Sequence, residues 1–267
     1  MRIVLWIGNE PNQKALANKI NNLFPISGII TESRISKKRI TAKKVGEKVI
    51  QKIFLSSIGK AWKGMQKHNY QSYPEYPLVE RLNVEDINSE EAYAFTKKIN
   101  PDLILVSGTR LVKDKMLSIN PKIGILNLHT GLSPYIKGGP NCTNWCIATE
   151  QFHLIGNTIM WIDRGIDSGN ILTTEFTELN GNESLLILHI KVMDHAHSLY
   201  LKALDYLSKG YYKSIPQSDI DKGKTYYTKE WTFKRTLDLL FNHKKMYKYF
   251  KSGKIVEDRK NIRVVEI

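Results

Sequence analysis

Cysteine is almost missing from this 267-residue chain: Cys142 and Cys146 are the whole supply. Two thiols cannot frame a small disulfide-bonded secreted scaffold. No further His, Cys, Asp or Glu stands near them at ligand spacing, so no metal site is expected. The segment around them reads as helix, where a spacing of four puts both on one face, and they are expected to be small buried residues. Also missing is any run of roughly 18 apolar residues, which excludes a membrane-crossing helix. The opening Met1-Arg2-Ile3-Val4-Leu5-Trp6-Ile7-Gly8 is too short for a secretion signal and reads as a first core strand. The expectation is therefore a cytoplasmic protein without a membrane partner. No Gly-x-Gly-x-x-Gly follows that strand, so the nicotinamide-dinucleotide fingerprint is absent. There is no internal repeat and no low-complexity tract.

Acidic residues are scarce, 26 against 40 Lys and Arg, for a formal charge of +14. Eleven of the basic residues fall within 31–70: Arg34, Lys37, Lys38, Arg39, Lys43, Lys44, Lys48, Lys52, Lys60, Lys63 and Lys67. Such a surface attracts anions, among them tRNA, a nucleoside diphosphate, a membrane surface or a polyglutamylated folate. A solvated helix face accounts for it equally well. Aromatic residues for base stacking are not interleaved there, which weakens the nucleic-acid reading.

What is present is a strand–helix–strand rhythm. Residues 2–8 are apolar nearly throughout, as strands covered on both faces are. A helix to Leu23 carries Leu16, Ile20 and Leu23 on one stripe, and Ile26–Ile30 forms the next strand. A basic helix is expected over 43–64, then a loop rich in aromatics and proline over 65–78, then a strand over Leu78–Leu82. Ser89-Glu90-Glu91 opens a helix to Ile99, Leu103–Val106 is a buried strand, and a short helix spans Lys113–Leu117. A strand ends at His129. Residues 141–149 read as helix, Ile155–Ile162 and Ile171–Phe176 as strands, and Asn182-Glu183-Ser184 opens a long helix to Lys209. These elements predict an α/β fold, a mostly parallel twisted sheet with helices on both faces. The expected division is 1–178 as a Rossmann-like catalytic domain and 179–267 as a long helix with a small C-terminal extension. Tyr226, Tyr227, Trp231 and Phe233 in that extension are expected either to pack between subunits of a homodimer or to fold back on the domain.

Polar chemistry begins where the strand Ile123-Gly124-Ile125-Leu126 ends, with Asn127 and His129. The end of a parallel strand is where open α/β sheets place their sites. Further on, Ile166-Asp167-Ser168-Gly169 supplies a carboxylate. Asparagine can donate to an oxygen that becomes negative, imidazole titrates near neutral pH and can take up a proton, and a carboxylate can orient the imidazole. Together they suit acyl transfer to an amine.

Ile125-Leu126-Asn127-Leu128-His129-Thr130-Gly131-Leu132-Ser133-Pro134, Gly138-Gly139-Pro140 and Trp161-Ile162-Asp163-Arg164-Gly165-Ile166-Asp167-Ser168-Gly169-Asn170-Ile171 together resemble the signature of the folate-dependent formyltransferases. That family includes glycinamide ribonucleotide, methionyl-tRNA and sugar N-formyltransferases. The resemblance covers residues 75–178 well, 1–74 loosely and the C-terminal third poorly. It implies 10-formyltetrahydrofolate as co-substrate, no metal, and Asn127, His129 and Asp167 as catalytic residues. Arg110, Leu111 and Val112 fall where the family binds the pterin-like head of folate, with Gly139, Pro140, Asp163 and Ile166 as further walls. Asp163 is alternatively a turn former. Lys137, His68, Tyr73 and Tyr76 are candidates for the acceptor. His195 and His197, two apart on a helix, are read as packing or surface residues.

Gly131-Leu132-Ser133-Pro134-Tyr135-Ile136-Lys137-Gly138-Gly139-Pro140-Asn141 departs from the Leu-Leu-Pro and Arg-Gly-Ala-Ala-Pro of the tRNA enzyme and resembles the sugar branch. The chain is also shorter than expected for the tRNA enzyme with its C-terminal barrel. No Gly-Ser-Gly-Ser follows the first strand, as it does in the glycinamide ribonucleotide enzyme. The resemblance thus implies formylation of a nucleotide-linked amino sugar in surface polysaccharide (lipopolysaccharide O-antigen) biosynthesis. The alternatives are formylation of methionyl-tRNA, and a non-catalytic anion-binding protein with this fold.

Overall fold

The computed structural model describes residues 1–33, 45–139 and 141–267, the side chains of 45–56 excepted. Arg34, Lys37, Lys38, Arg39, Lys43, Lys44 and Pro140 lie outside the described residues, as do the side chains of Lys48 and Lys52.

A seven-stranded sheet organises the molecule. Strands β1 (Ile3–Gly8), β2 (Ile26–Glu32), β3 (Arg81–Val84), β4 (Leu103–Ser107) and β5 (Gly124–His129) run parallel; β7 (Gly156–Trp161) is antiparallel to β5 and to β8 (Ile171–Phe176), in the order β3-β2-β1-β4-β5-β7-β8. The chain fills one side of β1 through β3 and then restarts on the other side with β4. That reversal opens a crevice at the carboxyl ends of the strands.

All six residues of β1 are buried because each face of the sheet is covered. Ile3, Leu5 and Ile7 pack with Leu16 and Ile20 of α1 (Pro11–Leu23) and with Ala196, Leu199, Ala203 and Leu204 of α6 (Leu185–Ser208). Val4 and Trp6 face α3 (Glu90–Ile99) and α4 (Asp114–Leu117), meeting Ala92 and Met116. Capping is local: Ser89 accepts from the Ala92 N–H and Ser184 from the Ile187 N–H, as the sequence pattern anticipates. Tyr200, fully buried on α6, reaches into the sheet. Its hydroxyl accepts from the Val106 N–H at 3.1 Å and donates to the Leu126 carbonyl at 2.6 Å. It thereby ties β4 to β5 directly beneath the crevice.

Two expectations need correction. Helix α2 (Val45–Ser72) runs through much of the segment expected to be loop. Ala61, Met65 and Asn69 are buried at successive four-residue steps against neighbouring helices, and that packing outweighs the aromatic, proline-rich composition that begins only at Tyr70. Gly64 permits the close approach, since a Cβ there would meet Leu186 of α6 at 2.7 Å. The strand expected at 78–82 forms later, at Arg81–Val84, because Leu78 is fully exposed and only Val84 is buried.

The tail carries further elements beyond the long helix. A short parallel pair joins β6 (Ile136–Gly138) to β9 (Lys224–Tyr226), while α7 (Phe233–Lys251) packs on α5 (Cys142–Ala148) and α8 (Lys254–Arg259) follows it. Tyr226 stacks on Trp145 at 4.4 Å, and Trp231 meets the same ring edge-on at 4.8 Å. These two aromatics therefore fold back on the body of the molecule.

Candidate active site

Alternation along β5 puts Asn127 and His129 on the same face as Ile125. The loop between β7 and β8 brings Asp167 to both, although Asn127 and Asp167 are 40 residues apart in the chain. The Asn127 amide donates to Asp167 Oδ1 at 3.4 Å, the His129 Nδ1 lies 3.4 Å from Asp167 Oδ2, and the Gly138 N–H donates to that same Oδ2 at 3.0 Å. Asp167 holds a left-handed backbone, φ +48°, a conformation that Asp tolerates better than most residues. An imidazole contact, two hydrogen bonds and an unusual backbone thus converge on a single side chain, a pattern typical of functional sites.

A cleft of about 440 Å³ opens over these groups. This volume is ordinary for a small-molecule site. Asn127 and Asp167 line it, whereas His129 does not. The imidazole is 9% exposed and sits behind the carboxylate, its Nε2 3.5 Å from the Cys142 thiol. Burial pushes that thiol's pKa well above its ordinary value, so it stays protonated, and its sulfur also lies 3.5 Å from the Gly138 carbonyl. Gly131 makes room for this arrangement, because a Cβ there would stand 2.5 Å from His129 Nε2.

The walls come from three loops. After β4, Arg110, Leu111 and Val112 line the cleft, and Leu111 is half exposed. Their backbone is held by Glu32, a buried carboxylate at the end of β2 that accepts from the N–H groups of Arg110 and Ile87. The Arg110 guanidinium turns toward Glu32, Asp86 and the Glu85 carbonyl. The second wall is the 163–169 loop, where Ile166 is exposed toward the cleft mouth. Asp163 organises that loop, accepting from the Gly165 N–H at 2.9 Å and the Ser168 hydroxyl at 2.6 Å. The third wall is Gly138 and Gly139 with Tyr226, Tyr227 and Thr228. Gly138 needs its positive φ of +86°, and any Cβ there would strike the Tyr226 carbonyl.

Six of the seven residues expected to hold the folate therefore line one cleft: Arg110, Leu111, Val112, Gly139, Asp163 and Ile166. Apolar faces of Leu111, Val112, Trp161, Ile162 and Ile166, interleaved with backbone amides, suit a flat heteroaromatic ring with polar edges.

The acceptor candidates are more scattered. Lys137 lies on β6 opposite Thr225, beside Gly138 but outside the lining. Tyr76 donates to Asn9 at the carboxyl end of β1, and its hydroxyl pKa is pushed up to about 12 by burial. His68 is exposed near the end of α2 and Tyr73 just follows that helix; neither lines the cleft. No group of three or more His, Cys, Asp and Glu that could hold a metal occurs among the described residues. No helix among them is long and apolar enough to cross a membrane.

Sequence reasoning did not single out Glu32, Gln217 or Thr228, and it read Cys142 only as packing. A carboxylate ending the apolar run Ile26–Glu32 was a usable signal. Gln217 and Thr228 had none, since their contacts form only through folding.

Residues 26–204 match the family model described as formyl transferase. The chain is 32% identical over 133 residues to the methionyl-tRNA formyltransferase of Clostridium tetani, a match covering 49% of this chain and 42% of that protein. The chain spans about half the length or less of the curated relatives it matches. Among solved structures, a sugar N-formyltransferase from a Shewanella species superposes with a TM-score of 0.57 at 15% identity, over 91% of this chain and 88% of that one. An N-formyltransferase from Helicobacter canadensis, solved with folinic acid and dTDP-3-aminofucose, gives 0.55 at 16% identity, over 92% and 81%. At such identities these two likenesses establish the fold.

Proposed function

The chain belongs to the formyl transferase family, and from that premise we propose that it moves a formyl group from 10-formyltetrahydrofolate to the primary amine of a nucleotide-linked amino sugar. The observation that carries this reading is the meeting of Asn127, His129 and Asp167 at one end of a cleft with an apolar, amide-edged wall. In the overall exchange the amine nitrogen gains a bond to the formyl carbon, the donor nitrogen loses its own, and one proton passes from the amine to the donor. The folate supplies the activated one-carbon unit.

The chain's own residues do the rest. The 108–112 and 163–167 loops hold the flat head of the donor, and Asn127 donates to the carbonyl oxygen as charge builds there, an interaction worth about 2.7–4 kcal/mol of barrier in comparable oxyanion sites. Asp167, open to the cleft, meets the amine of the acceptor and takes the proton it loses on attack, with His129 behind it, and that proton passes on to the donor nitrogen.

The sugar acceptor is supported by the Gly138-Gly139 loop, which departs from the tRNA enzyme. We further infer a cytoplasmic homodimer acting before surface polysaccharide assembly. Purified protein given formyl-folate and a panel of nucleotide-linked amino sugars should release tetrahydrofolate with at least one of them. Turnover only with methionyl-tRNA would transfer the reading to the tRNA branch, and turnover with neither would remove it.

A further inference from the structure

Gln217 reaches the aspartate loop from the C-terminal extension, far from any motif. Its side-chain amide donates to the Asp167 carbonyl at 2.8 Å and to the Gly169 carbonyl at 2.9 Å. Only an N–H-bearing end can face two carbonyl oxygens, so the orientation of the carboxamide is fixed by chemistry. The residue is 7% exposed, and its own Oε1 has no hydrogen-bond partner among the described residues. A buried acceptor left unpaired is unfavourable. An apolar side chain of the same length would fill the space without that penalty, so the two donated bonds are what glutamine adds here.

The segment that carries Gln217 is anchored on both sides. Ile215 exchanges two backbone hydrogen bonds with Ile171 at the start of β8. Gly223 packs against the Pro134 carbonyl, β9 pairs with β6, and the Gly139 N–H donates to the Tyr226 carbonyl at 3.0 Å. One stretch of tail thus ties the loop bearing Asp167 to the loop bearing Gly138, whose N–H reaches Asp167 Oδ2.

We propose that Gln217 is a positioning residue for Asp167, and that the 215–228 strap is part of the active site. By holding the main chain on both sides of Ser168, Gln217 fixes the left-handed turn that aims the carboxylate at Asn127 and His129. The catalytic consequence rests on the formyl-transfer reading, but the positioning itself does not.

The test uses the full chain with Gln217→Met, which keeps length and loses both donors, and Gln217→Glu, which presents a carboxylate to the two carbonyls. The direct readout is the Gly138 backbone amide, followed by NMR chemical shift and hydrogen exchange. In the folded variants it should move away from its parent position and exchange at least about tenfold faster, as it should in Asp167→Asn. With an acceptor in hand, kcat should fall about 10- to 100-fold while KM for the acceptor stays within about twofold, the mark of a misaimed catalytic group. If either folded variant keeps the parent Gly138 signal and exchange rate, the proposal is overturned, as it is by an unchanged kcat. Should the parent form no product with any amine, the function reading fails while the Gly138 signal still decides the positioning role.

Discussion

Asp167 stands between His129 and the open cleft, its Oδ2 3.4 Å from the imidazole Nδ1 while its other oxygen faces Asn127. On the formyl-transfer proposal, the carboxylate, not the ring, is the group an incoming amine would meet first. Replacing Asp167 by Asn should lower kcat by about 10²–10⁴ with little change in KM, the range for loss of a positioned proton carrier. His129→Gln should do the same. Because the two act in series, Asp167→Asn combined with His129→Gln should be little worse than either alone, and steady-state kinetics of the three variants would expose independent roles if the losses multiplied.

Gly131→Ala is expected to damage the site without unfolding the protein. The new methyl would lie 2.5 Å from His129 Nε2 and 2.8 Å from Cys142 Cβ, pushing the ring off Asp167. Overpacking of this kind costs about 1–3 kcal/mol. Thermal unfolding should show a modest drop in Tm beside a loss of kcat of at least about tenfold. Adding Cys142→Ala, which frees space at the same spot, should recover part of the activity; no recovery would mean that the clash is not relayed through the thiol side.

Leu111 and Ile166 are 50% and 45% exposed on opposite walls of the cleft. Full burial of such a side chain contributes roughly 1.5–3 kcal/mol, so covering its exposed half contributes about half of that. Leu111→Ser and Ile166→Ser should each raise KM for the formyl donor several-fold, up to about tenfold, and leave Tm nearly unchanged. Fluorescence titration with a folate separates donor binding from chemistry. A parent-like donor affinity in both variants would remove these walls from the folate site.

Acid should destabilise the fold through two buried histidines of α6. Burial lowers the pKa of His189 to about 4 and that of His197 to about 3, with the nearby His243 and Lys19 opposing a further charge. Both values lie below the unfolded value of 6.5, so the unfolded chain binds more protons between them. The stability these rings contribute is complete above that upper value and is lost as pH falls through 6.5 toward the folded values, at up to about 1.4 kcal/mol per pH unit for each ring. Urea midpoints measured from pH 7 down to 4 should fall steeply, and His197→Gln should flatten the curve. A midpoint independent of pH in the parent would contradict the neutral, buried state of the rings.

The strands were legible where apolar residues ran without interruption, as in β1, β4 and β5, because a strand covered on both faces has a signature independent of context. The long α6 was legible from its opening at Ser184, whereas its buried stripe along Leu188, Val192, Ala196, Leu199 and Ala203 is set by packing on the sheet. The continuation of α2 past residue 64 was not legible. Its buried positions Met65 and Asn69 are isolated in sequence and acquire meaning only against α1 and α6.

The sequence alone determined which groups are on offer for the proposed site. Asn127, His129, Asp167 and the residues proposed as the folate wall carry side-chain chemistry and local spacing that exist before folding. Tertiary structure alone decided the layering: carboxylate in front, imidazole behind, thiol at its back, and a strap from the tail gripping the aspartate loop. Those relations depend on distances between segments far apart in the chain, and the pattern of types along a sequence fixes which groups are available but not which of them end up facing solvent.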